Sequence, residues 1–404
     1  MKIAFYFPYP EIGGVPLLFL KVASYLADKH EVYLVDMDCG YMKKRLPSNC
    51  KFISYENPER LPDDCVVVFQ SCPFWRIPYL EKFNDNIKVY YWNLHPENIN
   101  ANIFNSSLDS SKVKKVFNCL SLLRRGKLRS LLRILVENDS ISFMDLENKI
   151  KTEIQIKERI ERDIYLPIIT SADCNAKFEY RQNIKSDILN CLFVGRMDSY
   201  KVELFIYTIK QIALLDRKFH FTVIGNGDSI TKVLRTLDSA DNISYYHIKE
   251  VEKLELFDII RNQNVAFGMG TSALDSASQG IPTVMLDYSY VKIDMYDNFR
   301  FIYESEGYTL AKEATHTEGG GHSIFDILNI LDKDAKSISD QCKNYYIENH
   351  SITKMDMFPK LLSNSKTTIK ELKDKKMNTP DIITSFIVKI FSKYKIDESG
   401  FINF

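Results

Sequence analysis

The sequence predicts an α/β fold of two doubly wound parallel-sheet domains, and three observations predict it. Short apolar runs alternate with helical patterns along the chain. The runs are apolar nearly throughout, as strands covered on both faces are. The alternation stops near residue 165 and restarts near residue 187, and 404 residues exceed what one core ordinarily serves.

The first run, "MKIAFYFPYP", is rich in strand formers and ends in prolines. It leads into "EIGGVPLLFLKVASYLADKHEVYLVDMD": a Gly-Gly turn, a helix with Leu18, Val22, Tyr25 and Leu26 on its apolar side, and a second strand. Further strands are expected at Cys65 to Pro73, Ile87 to Pro96 and Ser140 to Asp145. These define an N-terminal domain over 1–165, carrying a basic helical insertion at about 105–137. Residues 166–186 show no sustained period and are expected to link the domains. From 187 to 351 the pattern repeats: "ILNCLFVGRMDSYKVELFIYTIKQIALL" reads strand, loop, helix, and "FHFTVIGNGDSITKVLRTL" reads strand, glycine turn, helix. Residues 352–404 form a lysine-rich helical extension with Ile382, Phe386, Ile390 and Tyr394 near one stripe. It either packs across the other domain or is an amphipathic surface helix.

Bulk properties exclude several classes. Lys plus Arg and Asp plus Glu each number 53, so no global field recruits nucleic acid. The eight cysteines lack CxxC or CxxH spacing, and no secretory leader precedes the first strand, so neither a disulfide framework nor a zinc site is expected. No apolar run approaches the roughly 18 residues that cross a bilayer. A cytoplasmic protein, peripheral at most on the inner face of the plasma membrane, is expected.

The chemistry concentrates in the second domain. In an open parallel sheet, ligands bind beyond the carboxyl ends of the strands. "VAFGMGTSALDSASQGIPTVMLD" places such a turn between a strand and a helix. Gly268 and Gly270 permit close backbone approach, and the amides of Thr271, Ser272 and Ala273 open a helix whose dipole favours phosphate. Asp275 is placed to accept two ribose hydroxyls. The competing reading makes Ser272 to Asp275 an S-x-x-D capping box. In "FVGRMDSYK", Arg196 and Lys201 follow a strand and open the next helix, where they supply the cations for a diphosphate. Gly225 and Gly227 of "VIGNGD" form another glycine turn on the same edge.

These motifs resemble those of the GT-B glycosyltransferases, particularly family 4 and its bacterial polysaccharide (capsule and O-antigen) relatives. "VGRMDSYK" is similar to the family's VGR-x-x-x-x-K element, "VIGNGD" to its I-G-x-G turn, and "LDSASQGIPTV" to its L-E-A-x-A-x-G-x-P-V run. The match covers the C-terminal domain well and the N-terminal domain in outline. The resemblance implies the GT-B fold, two Rossmann-like domains facing across a cleft. It also implies that Arg196 and Lys201 bind the donor diphosphate and that Asp275 stands at the second Glu of the family's Glu, any seven, Glu motif. The first Glu falls at Phe267, so that contact to the donor sugar is missing here.

On the acceptor side, Gly13 and Gly14 either allow close approach of diphosphate or acceptor, or make a simple tight turn. His95 in "WNLHP" is a candidate to bind acceptor or donor sugar, against a structural histidine. Asp145 either orients or deprotonates a hydroxyl or caps the next helix. The "DMD" of Asp36 to Asp38 spells a metal-binding DxD, but it ends a strand far from the donor elements and reads as a loop with a negative edge. Between Lys112 and Val136 eight basic residues occur without an acid. That segment either lies on anionic lipid or is a solvated face on a packed helix.

The expected protein is therefore a hexosyltransferase-type glycosyltransferase. It moves a sugar from a UDP- or GDP-sugar to a hydroxyl of a glycan, lipid-linked in the favoured case, in bacterial surface polysaccharide biosynthesis. No metal or other cofactor is expected. Two alternatives stay open: a GT-B-fold sugar-nucleotide epimerase, and a non-catalytic binding subunit.

Overall fold

A computed structural model describes residues 1–95, 99, 125–170, 180, 187–314, 321–380 and 382. The chain divides into two compact units, Met1–Ile168 together with the segment from Ile352 onward, and Ile169–Ser351.

In the first unit the elements run β1 (Lys2–Tyr6), α1 (Gly14–Leu26), β2 (Glu31–Asp36), the single turn α2 (Tyr41–Lys44), β3 (Lys51–Ser54), β4 (Cys65–Gln70), β5 (Lys88–Asn93), α3 (125–137), β6 (Ile141–Phe143) and α4 (Leu146–Ile156). The six strands form one parallel sheet in the order β3-β2-β1-β4-β5-β6. Ile3, Ala4, Phe5, Val67, Val68 and Val89 are wholly buried, which is why these strands read as unbroken apolar runs. The edge strand β3 escapes the sequence pattern because "KFIS" is short and its Lys51 faces solvent. Strand order reverses between β1 and β4, making the crevice between their loops the switch point of this sheet.

Helix α3 is the described half of the basic insertion. Leu128, Leu131, Leu132 and Leu135 recur at helical spacing and are buried. Arg129 donates to the Ile156 carbonyl at 2.7 Å, Arg133 pairs with Glu158 and Lys127 with Thr379. Residues 112–124 lie outside the described residues.

The tail is built into this first unit. Phe358 packs against Phe5, Tyr90 and Trp92 with ring centroids 5.4 to 6.2 Å apart. The Val89 amide donates to Thr367 O at 2.9 Å, and Ser365 Oγ donates to Val89 O at 2.7 Å. Ile369 and Leu372 are fully buried in the core of the sheet's α3 side. Ile382 is exposed, while Phe386, Ile390 and Tyr394 lie outside the described residues.

The second unit contains β7 (Ile188–Val194), α5 (Ser199–Ile212), β8 (Lys218–Ile224), α6 (Ile230–Asp238), β9 (Ile243–Ile248), α7 (Lys253–Arg261), β10 (Val265–Gly268), α8 (Thr271–Ser278), β11 (Thr283–Met285), β12 (Arg300–Phe301) and α9 (Ile324–His350). Its sheet order is β12-β11-β10-β7-β8-β9, parallel except for β12. Phe193 stacks on Phe205 at 4.0 Å, filling the layer between sheet and α5. The chain winds outward through β8 and β9, then returns to the far side of β7, so the switch point lies between β7 and β10.

Both tryptophans, Trp75 and Trp92, belong to the first unit, so tryptophan emission excited at the red edge reports on that unit. Phe358→Ala should lower that unit's stability by about 3–5 kcal/mol, the cost of emptying an aromatic site in a core. An unchanged tryptophan-monitored urea midpoint would contradict the tail's part in this core.

Candidate functional site

The loops that carry Arg196 and Lys201 on one side and Gly268 to Asp275 on the other leave adjacent strands at the second switch point, and sheet register sets that adjacency. Phe267 pairs with Phe193, so Gly268 comes level with Val194, and Gly270 and Arg196 each lie two residues further on. Adjacent strands are about 4.8 Å apart, so the two loops leave the sheet side by side. The glycine turn after β8 flanks them on the other side.

That glycine turn is a support for its neighbour. Gly225 has φ +134° and Gly227 φ +151°, conformations that L residues rarely adopt. A Cβ at Gly225 would sit 2.0 Å from Gly195 O, and one at Gly227 would sit 2.9 Å from Met197 C. Backbone bonds seal the contact: Gly195 N to Ile224 O at 3.0 Å, Met197 N to Asn226 O at 2.9 Å, and Ser229 N to Met197 O at 2.9 Å. Both glycines therefore have an internal reason to be glycine, holding the segment that carries Arg196, where the sequence assigned them to the ligand.

Asp198, which the sequence reading passed over, stands between the two cations. Its Oδ2 lies 3.3 Å from Arg196 Nη2 and 3.2 Å from Lys201 Nζ. Its spacing, two after the arginine and three before the lysine at a helix start, was the available signal. Arg196 is 74% exposed and Lys201 23%, so the guanidinium is the more solvated of the pair.

Across the switch point, Gly270 is the N-cap of α8 at φ +60°, ψ −137°, and no side chain caps the helix. Its amide donates to Leu310 O at 3.0 Å, which anchors the turn from behind. Ser272 Oγ donates to Met269 O at 3.0 Å. The S-x-x-D capping box is thus not formed, because the helix starts one residue before Ser272 and Asp275 points elsewhere. The Asp275 carboxylate is 15% exposed, with Lys253 Nζ of α7 3.5 Å from its Oδ1. Phe267 is 1% exposed and stacks on Phe221 at 6.2 Å, so the position of the family's first acid is core.

In the first unit, a cavity of about 370 Å³ occupies the switch point between β1 and β4. Tyr6, Phe7, Tyr9 and Phe69 contribute aromatic walls, with Gly13 and Gly14 on one side and Gln70, Ser71 and Arg76 on another. A Cβ at Gly14 would touch nothing within 4 Å, so internal packing gives no reason for glycine there. Ser71 is 1% exposed and its hydroxyl has no hydrogen-bond partner among the described residues. The Phe7–Tyr9 wall is held by Asp36, whose carboxylate accepts from the amides of Tyr9, Met37, Met42 and Lys43 at 2.8 to 3.2 Å. Burial pushes its acidity down against those four donors. The expected negative edge is therefore corrected: Asp36 is buried and amide-bound, and only Asp38 is exposed.

Of the remaining candidates, His95 is exposed just beyond β5. Asp145 is the N-cap of α4, accepting from Asn148 N at 2.7 Å, and is 5% exposed. Its burial pushes the carboxyl up to about 7. Among the described residues no three His, Cys, Asp or Glu side chains gather as metal ligands, and no helix is long and apolar enough to cross a membrane.

No family model and no curated protein matches the chain by sequence. Solved structures do match. A glycosyltransferase from Rickettsia africae ESF-5 superposes with TM-score 0.52 at 14% identity, over 90% of this chain and 99% of that one. Anabaena HepE in complex with UDP gives TM-score 0.53 at 11% identity, over 90% and 100% of the two chains. The same protein with UDP and glucose gives 0.50 at 11%, over 90% and 99%. The likeness at these identities is one of fold. This chain has the GT-B architecture of those glycosyltransferases.

Two outcomes check the local physics. Gly225→Ala should destabilise by about 2–4 kcal/mol through clash and backbone strain, whereas Gly14→Ala should stay within about 1 kcal/mol of wild type in urea unfolding. The Asp145 carboxyl is raised in the fold, so between about pH 4 and 7 the native state binds the extra proton and stability falls as pH rises. Asp145→Asn should keep the cap and flatten that part of the melting-temperature profile; an unchanged slope would remove Asp145 as its source.

Proposed function

We propose that the protein is a glycosyltransferase that moves a sugar from a UDP- or GDP-sugar to a hydroxyl of a glycan acceptor, lipid-linked in bacterial surface polysaccharide biosynthesis, without a metal. The observation that carries this reading is the β7 to β10 register, which sets the Arg196 and Lys201 segment beside the uncapped N-terminus of α8. Supporting it, HepE of the same fold has been solved with UDP and with UDP plus glucose.

In the reaction, the acceptor oxygen bonds to the anomeric carbon as the bond from that carbon to the diphosphate oxygen breaks. Negative charge grows on the departing diphosphate. Arg196, Lys201 and the first-turn amides of α8 neutralise it in place of a metal ion. The acceptor's proton passes to the departing phosphate, as the resemblance to retaining relatives implies. Asp275 binds ribose hydroxyls, and the apolar-walled cavity of the first unit takes the acceptor, with His95 and Asp145 as the remaining candidates on that side. Contact with anionic lipid falls to the basic segment 112–136, in which Lys127, Arg129 and Arg133 also bind the protein itself.

A binding subunit without turnover is the second reading, favoured by Phe267 in place of a carboxylate. A thermal-shift screen of UDP, GDP and their sugars, with and without chelator, separates the readings from one another. Wild type should be stabilised by one nucleotide regardless of chelator. Arg196→Ala and Lys201→Ala should each weaken that binding, by about 2 kcal/mol or more for a lost charge-assisted contact. Asp198→Asn should strengthen it, since a competing anion is removed. Binding without sugar release or transfer indicates the subunit, and no shift with any nucleotide sinks the donor site.

A further inference from the structure

Next to Lys201, the second unit carries an aromatic group that the donor reading does not use. Tyr200, Tyr288 and Tyr290 contact one another: Tyr200 and Tyr290 stack with centroids 5.5 Å apart at 26°, and Tyr288 meets them edge-on at 6.2 and 5.8 Å. Tyr290 is 70% exposed, followed by Val291 at 59% and Met295 at 66%. Such an exposed apolar cluster on a folded unit marks a contact surface.

The loop that presents these side chains is held rigidly. Asp287 at its root is fully buried and takes a bidentate pair from Arg300, at 2.7 and 3.0 Å, with Tyr296 OH at 2.7 Å. The Lys312 amide completes the cage at 2.9 Å. Ser289 N donates to Tyr200 O at 2.8 Å, tying the loop to the start of α5. Ser289 Oγ and Val291 close a local turn through both of its hydrogen bonds. Rigid support of this kind preorganises the exposed rings and lowers the entropy lost on binding.

We infer that Tyr290, backed by Tyr200, is a stacking platform for a pyranose ring. One face of a pyranose is a set of C–H groups that lies flat on an aromatic ring, while its hydroxyls point outward. Tyrosine suits that partner because it couples an apolar face to a polar edge. Lys201 Nζ lies over the Tyr200 ring, 5.5 Å from its centroid, so one charged hydrogen-bond donor belongs to the same aromatic cluster. The platform also stands at the carboxyl edge of the sheet, where this fold binds ligands. A lipid surface fits less well, since the charged Lys292 and Asp294 interrupt the apolar residues of the loop.

This inference rests on the glycosyltransferase reading for the identity of the sugar, and its test is read separately. The full-length chain is examined by saturation-transfer NMR with methyl α-glucopyranoside, methyl β-galactopyranoside, diacetylchitobiose, UDP and UDP-glucose. Ring C–H protons of at least one sugar should be saturated in wild type. Tyr290→Ala should weaken that binding about threefold to tenfold, and Tyr290→Trp should retain it. Loss confined to UDP-glucose relative to UDP assigns the platform to the donor's sugar; loss for the free glycosides assigns it to the acceptor. Absence of sugar signals in wild type, or equal signals in Tyr290→Ala, overturns the inference. So does Tyr290-dependent flotation with phosphatidylglycerol vesicles while sugar binding is unchanged. If no nucleotide binds but Tyr290-dependent sugar signals persist, the donor reading fails and the platform stands.

Discussion

The second unit depends on one contact between two stretches of backbone. The 225–229 turn lies against 195–197 so closely that a single Cβ would enter the Gly195 carbonyl. Three backbone hydrogen bonds then make the two loops one body. Everything downstream inherits that position: the N-terminus of α5, the Tyr200 carbonyl that receives Ser289, and through it the loop rooted on Asp287. The cations and the aromatic cluster thus share one mechanical base. Their relative placement is set by backbone geometry, with side-chain rotamers adjusting only the final approach.

Electrostatics sharpens the consequence. With Asp198 between them, Arg196 and Lys201 are partly neutralised, and neither has to hold a bare charge near the low-dielectric sheet edge. Exposed pairs of this kind contribute little to stability. In the proposed donor site their significance is exchange: a diphosphate carries more charge than one carboxylate, so it would compete well for both cations while Asp198 would limit binding of weaker anions. The buried pair Asp287 and Arg300 is different in kind. It is largely shielded from solvent, takes two further donors, Tyr296 OH and the Lys312 amide, and therefore fixes a shape.

Much of the fold was legible because double-sided burial writes apolar runs into a parallel sheet, as at β1, β4, β5 and β7. The edge strand β3 was missed for the converse reason, since Lys51 breaks the run. The place of the tail's first part was not legible, because Phe358 finds Phe5, Tyr90 and Trp92 across more than 260 residues of chain. Within the candidate site, motif spacing singled out Arg196, Lys201, Gly270 and Asp275, and sheet register sets the loops that carry Arg196 and Gly270 on adjacent strands. Spacing could not show that Gly225 and Gly227 are also pressed against the backbone of Gly195 and Met197. Nor does spacing reveal Lys253 beside Asp275 or Tyr290 beside Tyr200, partners that only tertiary structure brings together.

Phe267 bears on how hydroxyls are recognised at this site. The residue sits between Phe193 and Val284 in register and against Phe221, so a carboxylate there would lose its water to a wall of aromatic carbon. Substituting the acid of related motifs therefore does more than delete a contact. It converts the end of β10 from a polar lip into core, and it shifts the polar surface of the turn onto backbone. Gly268 and Gly270 match that shift, since a turn that binds through amides needs its own side chains out of the way. In the proposed donor site the carboxylate left for sugar hydroxyls is Asp275, with Lys253 Nζ 3.5 Å from its Oδ1. An aromatic platform beside Lys201 is a physical counterpart to that loss, since stacking on a sugar ring requires no buried charge.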